Sequence, residues 1–227
     1  PRAIFAPGNI EECFSLTQKA FEVSEKSQGP AFILTDQFLA DSYRAVLPFD
    51  RIGTEPFQSL PHTPDTKTPY QRYTLTPNGV SPRLYPGMSH HLVIADSDEH
   101  TEDGHITEDL SIRKKMVEKR LRKTALLLSE RIPPSFTGDS HPHVLFICWG
   151  SAKGAVEEAA ERLRTPSLRT ATLHFSQVWP LAPDDFLPII QSAGVVVSIE
   201  GNATGQFAGV LQRETGLRLE KQITRYD

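Results

Sequence analysis

The chain has 227 residues, of which 38% are hydrophobic and 23% charged, and its formal net charge is −4 at pH 7. This length and composition predict a soluble, globular protein with a substantial core, and they exclude a disordered chain. No apolar run approaches the roughly 18 residues that cross a bilayer, and no charged-then-apolar leader opens the sequence. We therefore expect a cytoplasmic protein without membrane contact, and the acidic balance argues against general nucleic-acid binding.

The sequence contains two cysteines, Cys13 and Cys148. They form neither a CxxC pair nor the spacing of an iron–sulfur motif, so we predict no disulfide and no cluster held by this chain alone. Nucleophilic catalysis has no support either, because the sequence has no G-x-S-x-G elbow and no base that can be identified beside either thiol.

A β-α-β unit is predicted at the start of the chain. An apolar strand at 3–6 leads into a turn, and Asn9 with Glu12 resembles a capping box at the start of a helix over about 10–26. A second apolar strand at 30–36 completes a unit suited to a parallel sheet. Because the first strand has no upstream partner and no methionine precedes it, we expect the sequence to be part of a longer polypeptide. A complete protein with a trimmed methionine is the alternative.

The middle of the chain is less regular. Residues 47–86 are rich in proline and polar residues and lack periodicity, which predicts a long excursion that is functional or packs on another chain. A strand is predicted at 91–95. A helix is predicted from about 107 to 130, with acidic side chains near its positive end.

This helix carries a strongly basic run at 113–123. Apolar residues near one face predict that the charges crowd the other face. Those residues are Leu110, Val117, Leu121, Thr124 and Leu128. A solvated helix that links two domains is the favoured interpretation and docking of an acidic partner is the second. Nucleic-acid binding is a distant third because the helix lacks stacking aromatics.

Residues 133–140 predict a domain boundary, because their proline, glycine and serine content stops the helix and supplies an exposed linker. Beyond them, strands and helices alternate, which predicts a three-layer α/β domain with a parallel sheet. The predicted elements are strands at 143–148, 171–175 and 195–200 and helices at 152–164, 183–192 and 204–214. We therefore expect two domains, at 1–132 and 141–227.

Two loops in the second half follow strands and open helices. Residues 149–154 could present amides to an anion, but they match neither GxGxxG nor a Walker loop, so a plain turn is the better interpretation. Residues 200–206 lie at the strand end where ligands favour an α/β sheet. Anion binding or subunit contact is predicted for this second loop, with a structural turn as an equal alternative. Its candidate residues are Asn202, Thr204, Gly205 and Gln206.

A polar stretch at 90–109 is dense in imidazoles and carboxylates. Three such ligands would suit zinc, whereas an EF-hand is excluded because the glutamate of its loop is missing at the required distance. A solvated loop that caps a helix is the preferred interpretation over a metal site, and a pocket-lining or subunit-contact role stays open. Its candidate residues are Glu99, His100, Asp103 and His105.

Four segments together resemble the large, or alpha, subunit of 2-oxoacid:ferredoxin oxidoreductases, in particular the 2-oxoglutarate type. They are PRAIFAPGNIEECFSLTQKAF, PAFILTDQFLADSY, GVSPRLYPGMSHHLVIADSDEHTEDGHITED with the following MVEKRLRK, and HFSQVWPL with EGNATGQFA. Residues 144–200 also resemble the transketolase C-terminal domain. The resemblance implies an α/β fold in which part of a thiamine-type parallel-sheet domain precedes a three-layer transketolase C-terminal-like domain.

The family's reaction is oxidative decarboxylation of a 2-oxoacid, such as 2-oxoglutarate or pyruvate, to its acyl-CoA, with electrons passing to ferredoxin. The resemblance implies a hetero-oligomer in which thiamine diphosphate, magnesium and an iron–sulfur cluster serve the assembled enzyme. Its smaller beta subunit carries the thiamine diphosphate motif, GDG, which this sequence lacks. We therefore assign this chain no catalytic residue, no metal and no cofactor of its own. A free-standing α/β module that binds a nucleotide or mediates assembly is the alternative.

Overall fold

The computed structural model describes residues 1–49 and 69–226, so the part of the predicted excursion at 50–68 lies outside the described residues. The strands are β1 (Ala3–Phe5), β2 (Ala31–Ile33), β3 (Ser135–Gly138), β4 (Val144–Trp149), β5 (Thr170–Phe175), β6 (Gln177–Trp179), β7 (Val195–Glu200) and β8 (Lys221–Thr224). The helices are α1 (Ile10–Ser27), α2 (Gln37–Ala40), α3 (Leu110–Arg122), α4 (Thr124–Ser129), α5 (Lys153–Leu163), α6 (Leu187–Ser192) and α7 (Gln206–Thr215). The alternation predicted from the sequence is confirmed.

The described residues form two compact units that interleave along the chain. The first unit contains Pro1, 22–30 and 69–129. The second unit contains 2–21, 31–49 and 130–226. The predicted division into two consecutive domains stays a prediction.

Both sheets belong to the second unit. The first sheet has three strands in the order β2-β1-β6, with β1 and β2 parallel and β6 antiparallel to β1. The second sheet has five strands in the order β3-β5-β4-β7-β8, and only β3 runs antiparallel to its neighbour. Strands β5 and β6 are separated by Ser176 alone, so the chain passes directly from one sheet to the other. These parallel strands confirm the predicted α/β fold class.

Helices cover both faces of the five-stranded sheet. On one face, Ile147 and Leu173 are buried together with Phe207 of α7 and Ile190 of α6. On the other face, the buried side chains include Phe146 and Cys148 of β4 and Val156 and Ala160 of α5. Apolar residues of the strands therefore alternate between two buried faces of the sheet, which is the three-layer packing expected of a mainly parallel sheet.

The predicted linker at 133–140 is largely exposed, as expected, but it contains strand β3, so part of it is a paired edge strand and not an irregular connection. Phe136 of β3 lies opposite Leu173 of β5 in antiparallel register. Local composition did not indicate this strand, because its backbone is satisfied by a partner that lies far along the chain. The short strands β6 and β8 were missed for the same reason. The four-residue helix α2 was missed because it is too short for helical periodicity to show.

Two elements predicted for the middle of the chain are also corrected. Residues 91–95 form no strand, and the one isolated bridge nearby joins His100 to Ile106. The helix predicted over 107–130 begins at Leu110, because Asp109 is its N-cap and accepts from the amide of Ser111 at 2.7 Å. This helix is divided at Lys123 into α3 and α4.

Candidate functional site

A crevice opens where parallel strands of the second unit end. The cavity measures about 560 Å³. It lies at the carboxyl ends of β4 and β7, and its wall continues to the residues that follow β1, β2 and β8. Helix α5 leads from β4 to β5 on one side, whereas α7 leads from β7 to β8 on the other side, so the connections that follow the neighbouring strands β4 and β7 run in opposite directions. The carboxyl edge beside such a reversal is the usual ligand position in an open α/β sheet.

The crevice is lined by aromatic, small and a few polar side chains. Its polar and aromatic lining residues are Thr35, Asp36, Gln37, Phe38, Trp149, Ser151, Arg225 and Tyr226. The hydroxyl of Ser151 donates to the carboxylate of Asp36, which connects the two sheets across the crevice. Gly150 turns the chain with a positive φ of 57°, so residues 149–154 form the predicted strand-to-helix turn.

In the loop at 200–206, the carboxylate of Glu200 binds the amides at the start of α7. Glu200 is buried, and its Oε2 accepts from the amide of Phe207 at 2.8 Å, while its Oε1 accepts from the amide of Ala208 at 2.8 Å. The Nε1 of Trp149 and the Nδ2 of Asn202 also donate to this carboxylate, at 3.2 and 2.7 Å. Glu200 thus occupies the positive end of α7, where a bound anion would otherwise be stabilised.

Two further amides of this loop are bound as well. The Oδ1 of Asn202 accepts from the amides of Thr204 and Gln206, both at 3.2 Å. Gly205 has a positive φ of 61°, and a Cβ there would overlap the side chain of Gln222. The candidate residues are therefore brought together in a turn held by its own hydrogen bonds, which favours the structural interpretation over anion binding. Subunit contact stays a prediction.

A half-buried charged cluster that sequence reasoning missed joins α1, α5 and β5. The ammonium of Lys153 donates to Glu12, whose other carboxylate oxygen accepts from the amide of Gly8 at 2.7 Å. Glu12 also donates its own amide to Asn9 Oδ1 at 2.8 Å, which confirms one half of the predicted capping box. Burial opposes ionisation of Glu12, but the hydrogen bonds from Lys153 and Gly8 outweigh it and lower the pKa of the carboxyl.

His174 completes this cluster. Its Nε2 lies 3.1 Å from the carbonyl oxygen of Gly150, which assigns the ring proton to Nε2, and its Nδ1 is buried without a hydrogen bond. Burial lowers the pKa of His174, although the Glu12 carboxylate acts in the opposite direction. His174 is therefore neutral near pH 7. A Cβ on Gly8 would lie 2.8 Å from this ring nitrogen, so only glycine fits there.

In the first unit, the loop at 99–105 has one half that is packed and one half that is exposed. Glu99 binds the guanidinium of Arg120 through two hydrogen bonds of 3.0 and 2.6 Å, which lower the pKa of its carboxyl. The His100 ring stacks on Tyr73 with 3.5 Å between centroids, and burial lowers the pKa of its imidazole. These two residues hold the loop in place.

Asp103 and His105 are exposed. The Nδ1 of His105 lies 3.1 Å from the carboxylate of Asp103, and this carboxylate also accepts from the hydroxyl of Thr101, which lowers its pKa. Asp103 lines a cavity of about 390 Å³ with Thr101 and Glu102, whereas the two histidines do not. Within residues 1–49 and 69–226, no group of three or more His, Cys, Asp or Glu side chains is placed to hold a metal ion.

The side of helix α3 that is buried in the first unit is opposite to the apolar side noted in the sequence. Met116 and Lys119 are buried, whereas Leu110, Val117 and Leu121 are exposed. The ammonium of Lys119 donates to the Tyr73 carbonyl at 2.8 Å and to the Ser81 hydroxyl at 2.5 Å. A charge inside the unit is tolerated because its aliphatic stem packs while its head finds oxygen atoms. Burial, with the nearby Lys123 and Arg72 cations, lowers the pKa of Lys119 to about 8.

The chain has a layered α/β architecture with a crevice at the carboxyl ends of parallel strands, which is the position where many α/β proteins bind ligands. Comparison with known proteins assigns the family. Residues 1–119 match the family model described as pyruvate flavodoxin/ferredoxin oxidoreductase, thiamine diphosphate-binding, and the chain belongs to this family. The resemblance inferred from the sequence is therefore confirmed at the level of the family.

Relatives extend the similarity over the whole chain. The chain is 29% identical, over 100% of its length, to the 2-oxoacid:ferredoxin oxidoreductase subunit alpha of Saccharolobus solfataricus, of which it covers 36%. It is 26% identical, over 85% of its length, to the 2-oxoglutarate synthase subunit KorA of Methanocaldococcus jannaschii, of which it covers 50%. It thus spans between about a third and a half of the length of these relatives.

A solved structure has the same fold. The 2-oxoglutarate:ferredoxin oxidoreductase from Magnetococcus marinus, determined with 2-oxoglutarate, coenzyme A and succinyl-CoA bound, superimposes with a TM-score of 0.80 at 25% sequence identity. The match covers 99% of this chain and 39% of the other. Among the described residues, the helices are too short or too polar to cross a membrane.

The thiamine diphosphate implied by the family does not fit the described residues of this chain on its own. The helix amides that could receive a diphosphate at α7 are bound to Glu200. The described side chains also provide no three-ligand group for the accompanying divalent cation.

Proposed function

We propose that this chain is part of the alpha subunit of a 2-oxoacid:ferredoxin oxidoreductase of the 2-oxoglutarate type. The observation that carries the proposal is the structural likeness, over 99% of the chain, to a 2-oxoglutarate:ferredoxin oxidoreductase. The reaction converts 2-oxoglutarate and coenzyme A to succinyl-CoA and carbon dioxide. The two electrons released pass singly through an iron–sulfur cluster to ferredoxin, a step that organic side chains cannot perform.

The described residues form the scaffold of this enzyme. The self-satisfied turns at Gly150 and Glu200 position strand ends without supplying a reactive group. We propose that thiamine diphosphate and magnesium are bound by the smaller beta subunit, and that residues 1–132 and 141–227 form the thiamine-type and transketolase C-terminal-like domains. The enzyme acts in the cytoplasm.

The two candidate loops are proposed to contact other parts of the assembled enzyme. In the loop at 99–105, Asp103 and His105 are exposed and available, whereas Glu99 and His100 are used in packing. His105→Ala should therefore weaken assembly or substrate affinity without unfolding the chain. His100→Ala should lower stability, because it removes a ring stacked on Tyr73. Unchanged turnover, affinity and assembly in both variants would remove the loop from the proposal.

The function is tested by producing the full-length gene product with its neighbouring subunit. Reduction of a low-potential acceptor is measured with 2-oxoglutarate, pyruvate and a branched 2-oxoacid, each with and without coenzyme A. We expect CoA-dependent reduction with kcat/KM at least about tenfold higher for 2-oxoglutarate, a preference worth about 1.4 kcal/mol. A preference for pyruvate would overturn the substrate assignment, and no CoA-dependent reduction with any 2-oxoacid would overturn the enzyme.

A second preparation, the 227-residue chain alone, separates the scaffold role from the alternative of a free-standing nucleotide-binding module. The 227-residue chain is titrated alone with thiamine diphosphate and with ATP in a calorimeter. We expect no binding of either compound. Tight binding of ATP by the chain alone would favour the free-standing module.

A further inference from the structure

Helix α3 carries an apolar seam that faces solvent. Leu110, Val117 and Leu121 are 77%, 36% and 59% exposed. Their spacings of seven and four residues return to nearly the same side of a helix with about 3.6 residues per turn. The three side chains therefore form one continuous line along the helix.

The opposite side of α3 already packs on the rest of the first unit. Met116 and Lys119 are buried there, and Ile112 is half-buried. A surface helix normally turns its apolar residues to the core and its charges outward. Here a lysine is buried while two leucines and a valine are left in water, so the seam is not explained by the packing of this unit.

The edges of the seam are positively charged. Arg120 is paired with Glu99, and Arg122 donates to the Thr76 carbonyl oxygen at 2.9 Å. Arg113 and Lys114, by contrast, have no ion-pair partner within the part of the chain that the structure describes. Lys114 lies between Leu110 and Val117 in the helical turn, so a cation borders the apolar line directly. Glu118, one turn further on, is the one carboxylate of α3, against five lysine and arginine side chains besides the buried Lys119.

We propose that this seam, formed by Leu110, Val117 and Leu121, docks an amphipathic helix of another polypeptide that is apolar in its centre and acidic along its edges. Charge complementarity selects this occupant. A second copy that paired seam to seam would bring the same cations together, and like charges disfavour that arrangement. Nucleic acid would satisfy Arg113 and Lys114 but would leave three apolar side chains without a partner. The proposal does not depend on the enzymatic function.

The test uses two synthetic helical peptides with the same leucine seam. One peptide carries Glu on both edges of the seam and the other carries Lys. The full chain is titrated with each, and binding is followed by fluorescence anisotropy. We expect the Glu peptide to bind at least about tenfold more tightly than the Lys peptide, an advantage that shrinks as salt screens the charges.

Variants of the chain locate the binding surface. Leu121→Ser should weaken binding of the Glu peptide at least about tenfold, because the complex loses a leucine that the bound peptide would bury. The double variant Arg113→Glu with Lys114→Glu should reverse the preference between the peptides. Leu163→Ser, at another exposed leucine, and Arg218→Glu, at another exposed arginine, are the matched controls and should bind as the wild type does.

Four outcomes would overturn the proposal. Two of them are equal binding of the two peptides and no binding of either peptide. The third is an unchanged affinity for the Glu peptide in Leu121→Ser. The fourth is self-association of the chain that Leu121→Ser abolishes, which would assign the seam to a second copy. The chain could also bind a DNA duplex. If this binding is lost in the double variant of Arg113 and Lys114 but is unchanged in Leu121→Ser, these two cations bind nucleic acid and the proposal is wrong. Circular dichroism of each variant separates these results from unfolding.

Discussion

The side-chain carboxylate of Glu200 accepts a hydrogen bond of 2.8 Å from the main-chain amide of Phe207. Glu200 ends β7 and Phe207 lies in the first turn of α7, so one side chain joins the last residue of a strand to the helix that follows it. A carboxylate at this position satisfies amides that have no partner within the helix, and its negative charge opposes the positive end of the helix.

Replacing Glu200 should destabilise the second unit strongly. Glu200→Ala leaves the amides of Phe207 and Ala208 and the indole N–H of Trp149 without their acceptor, and the loss of charged, buried hydrogen bonds should cost roughly 2–4 kcal/mol. Glu200→Gln should cost less because one acceptor oxygen remains. Urea unfolding measures both variants. Glu158→Ala, in an exposed ion pair with Arg162, is the control and should cost no more than about 0.5 kcal/mol.

Gly205 should not tolerate a side chain. Gly205→Ala meets an unfavourable positive φ and must displace the side-chain amide of Gln222, whose Nε2 donates to the Leu219 carbonyl at 2.9 Å, and the combined cost should exceed about 1.5 kcal/mol. Gly216→Ala is a matched control, because its φ of 73° is similar but nothing lies near the added Cβ. Combining Gly205→Ala with Gln222→Ala should restore part of the loss. Thermal unfolding of the three variants and the wild type gives the comparison, and equal costs at Gly205 and Gly216 would contradict the role of the overlap.

Lys119 should make stability rise at alkaline pH. Its pKa is lowered by burial from 10.5 to about 8, so between these values the unfolded chain binds more protons than the folded chain. Under this condition the free energy of unfolding increases with pH. Lys119→Met should therefore show a smaller increase between about pH 8 and pH 10.5 than the wild type. The exposed Lys114→Met is the control, and parallel profiles for wild type and Lys119→Met would disprove the prediction.

His174 should make the protein less stable in mild acid. Its pKa in the folded chain is lowered from 6.5, mainly by burial, so the unfolded chain takes up the proton first as the pH falls. The stability that the neutral ring contributes is present above pH 6.5 and is lost below it. His174→Gln should weaken this dependence between about pH 7 and pH 5, whereas the exposed His105→Gln should not. Urea midpoints across this range measure the effect, and an unchanged slope in His174→Gln would contradict it.

Much of the fold could be predicted from local patterns. The apolar runs of β4, β5 and β7 and the capping residue of α1 indicated the right elements, because strand and helix periodicity and caps act over a few neighbouring residues. The family was also predicted correctly, since its four segments lie in the sequence itself. The loops at 99–105 and 202–206 were found as polar segments, but their internal hydrogen bonds were not.

The sequence by itself determined the succession of strands and helices and the family of this chain. Only the tertiary structure decided which side of α3 is buried, that β3 pairs with β5, and that Glu12 meets Lys153 across 141 positions of sequence. The physical reason is that burial and pairing depend on partners brought together by folding. A basic or acidic side chain shows its charge locally, whereas the oxygen atom or ammonium group that compensates it can come from any part of the chain.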